Sequence, residues 1–63
     1  MISMEFNIGD LVKISSRNNA IGYILKQVNT LYRVVYFGKT IYGSKYAITD
    51  NFDAADLILV DNF

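Results

Sequence analysis

Tyrosine and basic side chains interleave between positions 32 and 46, and these are the residue types in this chain best suited to binding a partner. Aromatic rings stack on nucleobases while Lys and Arg pair with phosphates, and Tyr and Arg also anchor protein interfaces. We predict a partner-binding set, with a protein as the favoured partner, consisting of Arg33, Tyr36, Lys39, Tyr42, Lys45 and Tyr46. A competing interpretation makes these rings an outer layer of the core, solvated by the lysines.

A nucleic-acid interface is the alternative use of the same face, with Lys13, Arg17 and Lys26 added to it. The balance of six basic and six acidic residues argues against it, because neutralisation of phosphate charge drives nucleic-acid affinity. The charges are nevertheless separated along the chain: every basic residue lies between positions 13 and 45, and four acids lie in the last fourteen positions. This pattern predicts either one basic and one acidic face or local ion pairs.

Catalytic and metal-binding chemistry is poorly represented. The chain has no His and no Cys, which removes the usual zinc and iron ligands and the Ser–His and Cys–His nucleophile pairs. The spacing of Asp50, Asp53 and Asp56 is similar to that of a calcium loop, but the central Gly and terminal Glu are missing. We interpret them as a capped turn with solvated acids, and we expect no enzymatic activity, no cofactor and no metal site.

Five short apolar runs, separated by Gly, Asn and Ser, must position these side chains. They predict strands at 11–14, 20–28, 31–37, within 41–48 and at 57–60, a pattern typical of a small all-β barrel. Gly22 inside the second run predicts a bulge or a bend. The fourth run is either one bent strand or a short strand and a loop broken at Gly43, and the polar residues 49–51 are predicted to end it. Asp53 is a predicted N-cap for one helical turn before the last strand.

The order of these features is similar to that of a known class of small barrels. The matching residues are Gly9-Asp10-Leu11-Val12, Gly22-Tyr23-Ile24, Tyr32-Arg33-Val34-Val35-Tyr36 and Asp56-Leu57. This pattern resembles the SH3-like barrels of the Tudor and KOW type over nearly the whole chain. The resemblance implies a five-stranded SH3-like barrel with one short 3₁₀ turn before the last strand. Tudor domains often hold methylated Lys or Arg in an aromatic cage, for which Tyr36 would supply one wall and Tyr23 or Tyr42 another.

The size of the chain predicts one domain, residues 1–63, whose stability depends on packing because no disulfide or metal is available. No signal peptide or apolar run of the ~20 residues that a membrane helix needs is seen, so we expect a stand-alone cytoplasmic protein. Frequent Ile, Asn, Lys and Tyr suit an AT-rich bacterial or phage genome. The predicted function is a small module, monomeric or weakly dimeric, that docks on a protein partner and modulates it. A third hypothesis is self-association through a free strand edge or through Phe6, Phe52 and Phe63.

Overall fold

One antiparallel sheet organises residues 6–60, the part of the chain that the computed structural model describes. Its strands are β1 (Leu11–Ile14), β2 (Ala20–Val28), β3 (Leu31–Lys39), β4 (Lys45–Asp53) and β5 (Leu57–Leu59). Two 3₁₀ turns, Ser15–Arg17 and Ala54–Asp56, connect β1 to β2 and β4 to β5. Residues 6–60 contain no helix that is long and apolar enough to cross a membrane.

Short turns generate the strand order β4–β3–β2–β1–β5. Asn18, Asn19 and Asn29 adopt the left-handed backbone, with φ of 56°, 58° and 57°. Asn tolerates this conformation better than most residues because its short side chain can hydrogen-bond locally. The predicted turns after β1 and between β2 and β3 are therefore confirmed. The 3₁₀ turn before β5 is confirmed as well, and the Asp53 carboxylate accepts a hydrogen bond from the backbone N–H of Ala55.

The core lies on one side of the curled sheet, which we call the inner face. Val12, Ile14 and Val34 are fully buried there, and Phe6 closes one end, with its ring edge-on to Tyr32 at 5.3 Å between centroids. The buried side chains of the described residues are Phe6, Val12, Ile14, Ile24, Tyr32, Val34, Tyr36, Phe52 and Leu57. Burial of Phe6 and Phe52 overturns the hypothesis that they mediate self-association, whereas Phe63 lies outside the described residues.

The sheet is open. β4 and β5 are its two edges and share no hydrogen-bonded register, so the predicted closed barrel is not confirmed, although the all-β prediction with five strands is. The turn after β1 instead contacts residues next to both edges. Ser16, in the turn after β1, bonds the Asp56 carboxylate through its hydroxyl and through its backbone N–H, the latter at 3.1 Å. Arg17, in the same turn, reaches Asp50 on β4.

Gly22 lies where two strands approach closely, and the predicted bulge is not there. The register shift between β2 and β3 lies between Ile24 and Lys26, so the bulge is not at the glycine. A Cβ atom at Gly22 would lie 2.5 Å from the Val35 carbonyl oxygen. Glycine is required because the backbones of β2 and β3 approach closely at this point.

The prediction that residues 49–51 end the fourth strand is wrong. Residues 41–44 form a loop, and β4 runs from Lys45 to Asp53. Asp50 and Asn51 pair with Val34 and Arg33 although neither favours strands by itself. The well-formed β3 supplies a complete partner, and cross-strand pairing outweighs local preference.

Candidate partner-binding surface

The β3–β4 hairpin extends beyond the rest of the sheet. The register of β2 with β3 ends at Gly22 opposite Tyr36, whereas that of β3 with β4 continues to Lys39 opposite Lys45. Residues 37–47 therefore form a two-stranded ribbon with a loop at its tip, which we call the arm. A ribbon of only two strands is marginally stable in water. A partner that covered the arm would also stabilise it.

Thr40 and Gly43 shape the tip of the arm. The Thr40 hydroxyl accepts hydrogen bonds from the backbone N–H groups of Tyr42 and Ser44, both at 3.2 Å. The Thr40 N–H donates to the Ser44 carbonyl at 2.9 Å, and the Gly43 N–H donates to the Thr40 carbonyl at 3.0 Å. Gly43 has a φ of 86°, which side-chain-bearing residues rarely adopt. The tip is thus held by its own bonds while the Ile41 and Tyr42 side chains project from it.

Apolar side chains on the arm face solvent. Ile41 and Tyr42 are 92% and 87% exposed, and Phe37 is 57% exposed. Tyr46 is half-exposed because its ring crosses Gly38, where an added Cβ would lie 2.9 Å from the Tyr46 Cζ atom. Isolated exposed hydrophobic residues are common, but four on one short segment make it a candidate interaction site.

Two lysines face each other on the arm. Lys39 and Lys45 are directly opposite in the β3–β4 register, so their side chains leave the same face of the ribbon. Like charges at directly opposed positions destabilise a sheet. Neither lysine forms an ion pair within residues 6–60, where the Arg17–Asp50 contact is the single ion pair. Among residues 6–60 no acidic side chain pairs with this positive charge, and an acidic partner surface would neutralise it.

The remaining basic residues continue this charge along the outer face, the side of the sheet opposite the core. Lys13 alternates with buried Val12 and Ile14 on β1, and Lys26 pairs with Arg33 across β2 and β3. Strand alternation therefore puts five of the six basic residues on the outer face: Lys13, Lys26, Arg33, Lys39 and Lys45. Exposed apolar side chains lie among them, namely Ile21, Tyr23, Phe37 and Ile58.

The structure divides the predicted partner-binding set. It brings Lys39, Tyr42, Lys45 and Tyr46 together on the arm. Arg33 lies six residues from Lys39 on β3, about 20 Å away along an extended strand, and its Nε donates to the Asn51 side-chain oxygen at 3.1 Å.

Tyr36 lies on the inner face, only 6% exposed. Its position favours the interpretation of this ring as core, and it is unavailable as a cage wall. Phe37 and Ile41 on the arm were missed, although the alternation of β3 and the turn residues around Ile41 point to their exposure.

Arg17 contributes to the fold rather than to a free basic surface. Its Nε donates to the Tyr36 hydroxyl at 3.0 Å, its guanidinium carbon lies 5.4 Å from the centre of the Phe52 ring, and its Nη2 is 3.6 Å from an Asp50 carboxylate oxygen. The hydrogen bond to Tyr36, followed by the charges of Tyr36, Asp50 and Asp56, raises the pKa of Arg17 above its usual value, against a lowering by desolvation. Arg17 thus covers the edge of the core next to β4.

The three acids whose spacing is similar to a calcium loop make separate contacts. Asp53 caps the second 3₁₀ turn, and Asp56 accepts hydrogen bonds from Ser16. Asp50 forms an ion pair with Arg17 and accepts a hydrogen bond from the N–H of Asn51. Residues 6–60 contain no cluster of three acidic, His or Cys side chains that would hold a metal ion. Comparison of the chain with protein-family models, with curated proteins and with solved structures gave no match.

Proposed function

We propose that this chain is a non-enzymatic binding module that docks on a protein partner through its arm and modulates that partner. The observation that carries the proposal is the ribbon beyond Tyr36, which presents Ile41 and Tyr42 beside the opposed Lys39–Lys45 pair. An apolar centre with a charged rim is the usual anatomy of a protein interface. The complementary partner surface is an apolar pocket with acidic side chains around it.

The shape of the surface supports a macromolecular partner. Residues 6–60 enclose no pocket, and the arm is a raised feature rather than a cleft. Small-molecule sites are concave and bury most of the ligand. We further propose that the sheet belongs to the SH3-like class. The 3₁₀ turn before β5 and the pairing of β5 with β1 support this, because the SH3-like pattern of the sequence also ends with a 3₁₀ turn and a last strand. The proposed setting is the cytoplasm of a bacterium, in which a phage would be one source of such a module.

Affinity capture with a double variant of the arm tests this proposal. Tyr42→Ala combined with Lys39→Glu removes one projecting ring and reverses one charge, and both side chains are exposed, so the fold should survive. We expect recovery of the captured partner to fall at least about tenfold, the effect typical of a central interface residue.

The matched control is Tyr23→Ala combined with Lys13→Glu, which makes the same chemical changes on the outer face away from the arm. This variant should capture the same partner as the unmodified chain. Equal capture by the arm variant and the unmodified chain would contradict docking through the arm.

Nucleic-acid binding is the second candidate, favoured by the collection of five basic residues and the exposed Tyr23 and Phe37 rings on the outer face. It predicts retardation of a single-stranded oligonucleotide at low salt that weakens steeply as salt is added. Lys13→Glu with Lys26→Glu should abolish the retardation. Absence of retardation of both single-stranded and double-stranded DNA and RNA at low salt excludes this candidate.

A further inference from the structure

The free edge of β4 is long and regular. β4 has nine residues, contains no proline or register shift, and pairs within residues 6–60 only with β3. By contrast, β5 at the other edge has only three residues. An uncovered strand of this length is a template for pairing with another chain, and proteins usually protect such edges.

Two observations show which backbone groups point outward from this edge. The Thr40 N–H bonds the Ser44 carbonyl, so residues 40 and 44 form a hydrogen-bonded pair, and alternation makes every even-numbered residue of β4 bond to β3. Independently, the N–H of Asn51 is bonded at 2.8 Å to the Asp50 side chain rather than to β3. The odd-numbered residues therefore point their N–H and C=O groups outward, among them Ala47 and Thr49.

The sequence of β4 is complementary to itself in one antiparallel register. When two copies are related by a two-fold axis through Thr49, Lys45 of each copy lies opposite Asp53 of the other. Lys45 and Asp53 are both exposed and share one face of the strand. Moving the two-fold axis by one residue in either direction loses both charge pairs, and moving it to residue 50 opposes Asp50 to its own copy.

We propose that two copies of this chain associate through β4, in the antiparallel register centred on Thr49, to form a continuous ten-stranded sheet. The occupant of the edge is thus a second copy, selected by two symmetric Lys45–Asp53 pairs. The Asp50 carboxylate must release the Asn51 N–H when the strands pair. The Asp50 side chain thus competes with the second copy for this N–H group, so that association is weak and depends on concentration.

Charge-swap variants of the full chain test this register by sedimentation equilibrium over a wide concentration range. Lys45→Asp and Asp53→Lys each turn two attractions into two repulsions, and each should raise the dimer dissociation constant by about tenfold. The double variant restores opposite charges and should return the constant to within about threefold of the original. Lys13→Asp, which reverses a charge on β1 away from β4 and from Lys45, is the matched control and should have no effect on dimerisation.

Amide hydrogen exchange provides a second measurement if a single variant fails to fold. The outward N–H groups of Ala47 and Thr49 should exchange rapidly in dilute samples and become protected as concentration rises. A chain that remains monomeric to millimolar concentration, or a dimer that ignores both single variants, overturns the proposal. Tyr42 lies in the loop outside β4 and Asp53 lies outside the arm, so loss of partner capture in a Tyr42 variant and loss of dimerisation in an Asp53 variant are separable results.

Discussion

At the scale of single residues, two side chains of similar chemistry have different roles when they lie on opposite faces of a strand. Tyr36 and Phe37 are neighbours on β3, yet Tyr36 is buried and bonds Arg17 while Phe37 is exposed on the arm. Tyr36 packs at 5.9 Å from the Phe52 ring, a contact worth about 0.5–1.5 kcal/mol beyond simple burial. A tyrosine in a Tyr-rich and basic segment is thus a binding candidate only where the fold leaves its ring exposed.

Glycine at position 22 is the residue-scale feature that we expect to be least tolerant of change. Gly22→Ala places a methyl group against the rigid Val35 carbonyl oxygen and should reduce the free energy of unfolding by about 1–3 kcal/mol. In Gly38→Ala the nearest atoms are the ends of the Ile48 and Tyr46 side chains, which can move. The loss should therefore be smaller in the Gly38 variant. Urea denaturation of both variants measures the difference, and equal losses would contradict the backbone contact inferred at Gly22.

At the scale of elements, β4 depends on its partner strand. Its residues include Lys45, Asp50 and Asn51, and much of it is exposed, so its own composition predicts a weak strand. Pairing with β3 continues through all nine residues, from Leu31 opposite Asp53 to Lys39 opposite Lys45. The hairpin is therefore a more regular element than local preference indicates, and its outer edge and its tip are both left open.

Proline substitution in β4 reports which N–H groups hold this element to β3. Thr49 points its N–H outward, so Thr49→Pro removes no ladder bond and should cost about 1 kcal/mol or less. Ile48→Pro removes a bond to β3 and should cost at least about 2 kcal/mol more than Ile48→Ala, which corrects for the lost side chain. Thermal or urea unfolding of the three variants gives these values. A Thr49→Pro loss as large as that of Ile48→Pro would show that the alternation is reversed.

At the scale of the whole molecule, a small core supports an open sheet. Domains have about 0.05–0.15 kcal/mol of stability per residue, which amounts to roughly 3–9 kcal/mol for a chain of this length. Nine buried side chains in the described residues carry most of this. Side chains rather than a hydrogen-bonded ladder link the two ends, through Arg17 to Asp50 and Ser16 to Asp56. With so small a margin, the last short strand matters to the entire fold.

Two leucines on β5 test this cooperativity. Leu57 is 3% exposed and pairs with Ile14, whereas Leu59 pairs with Val12 on the same side but is 55% exposed at the edge. Leu57→Ala should cost about 2–5 kcal/mol because it leaves a cavity in the core, and that is enough to unfold much of the population. Leu59→Ala should cost about 1 kcal/mol or less. Far-UV circular dichroism during thermal unfolding measures both, and similar losses would contradict a core that depends on Leu57.

What the sequence determined by itself is the list of local elements. The apolar runs and turn residues identified β1, β2 and most of β3, and Asp53 identified the 3₁₀ turn before β5, because alternation, left-handed Asn turns and capping are local effects. The interleaved Tyr and Lys residues also indicated the segment that contains the arm.

Only the tertiary structure decided which of the candidate binding residues are exposed and whether the sheet closes. Burial of Tyr36, extension of β4 past residue 49, and the requirement for glycine at position 22 all arise from strands that are distant in sequence. The open edge has the same origin, because closure depends on whether β4 meets β5 in space, and no local pattern specifies that meeting. Pairing and packing energies between distant segments exceed local preferences, which is why these features could be found only in the folded chain.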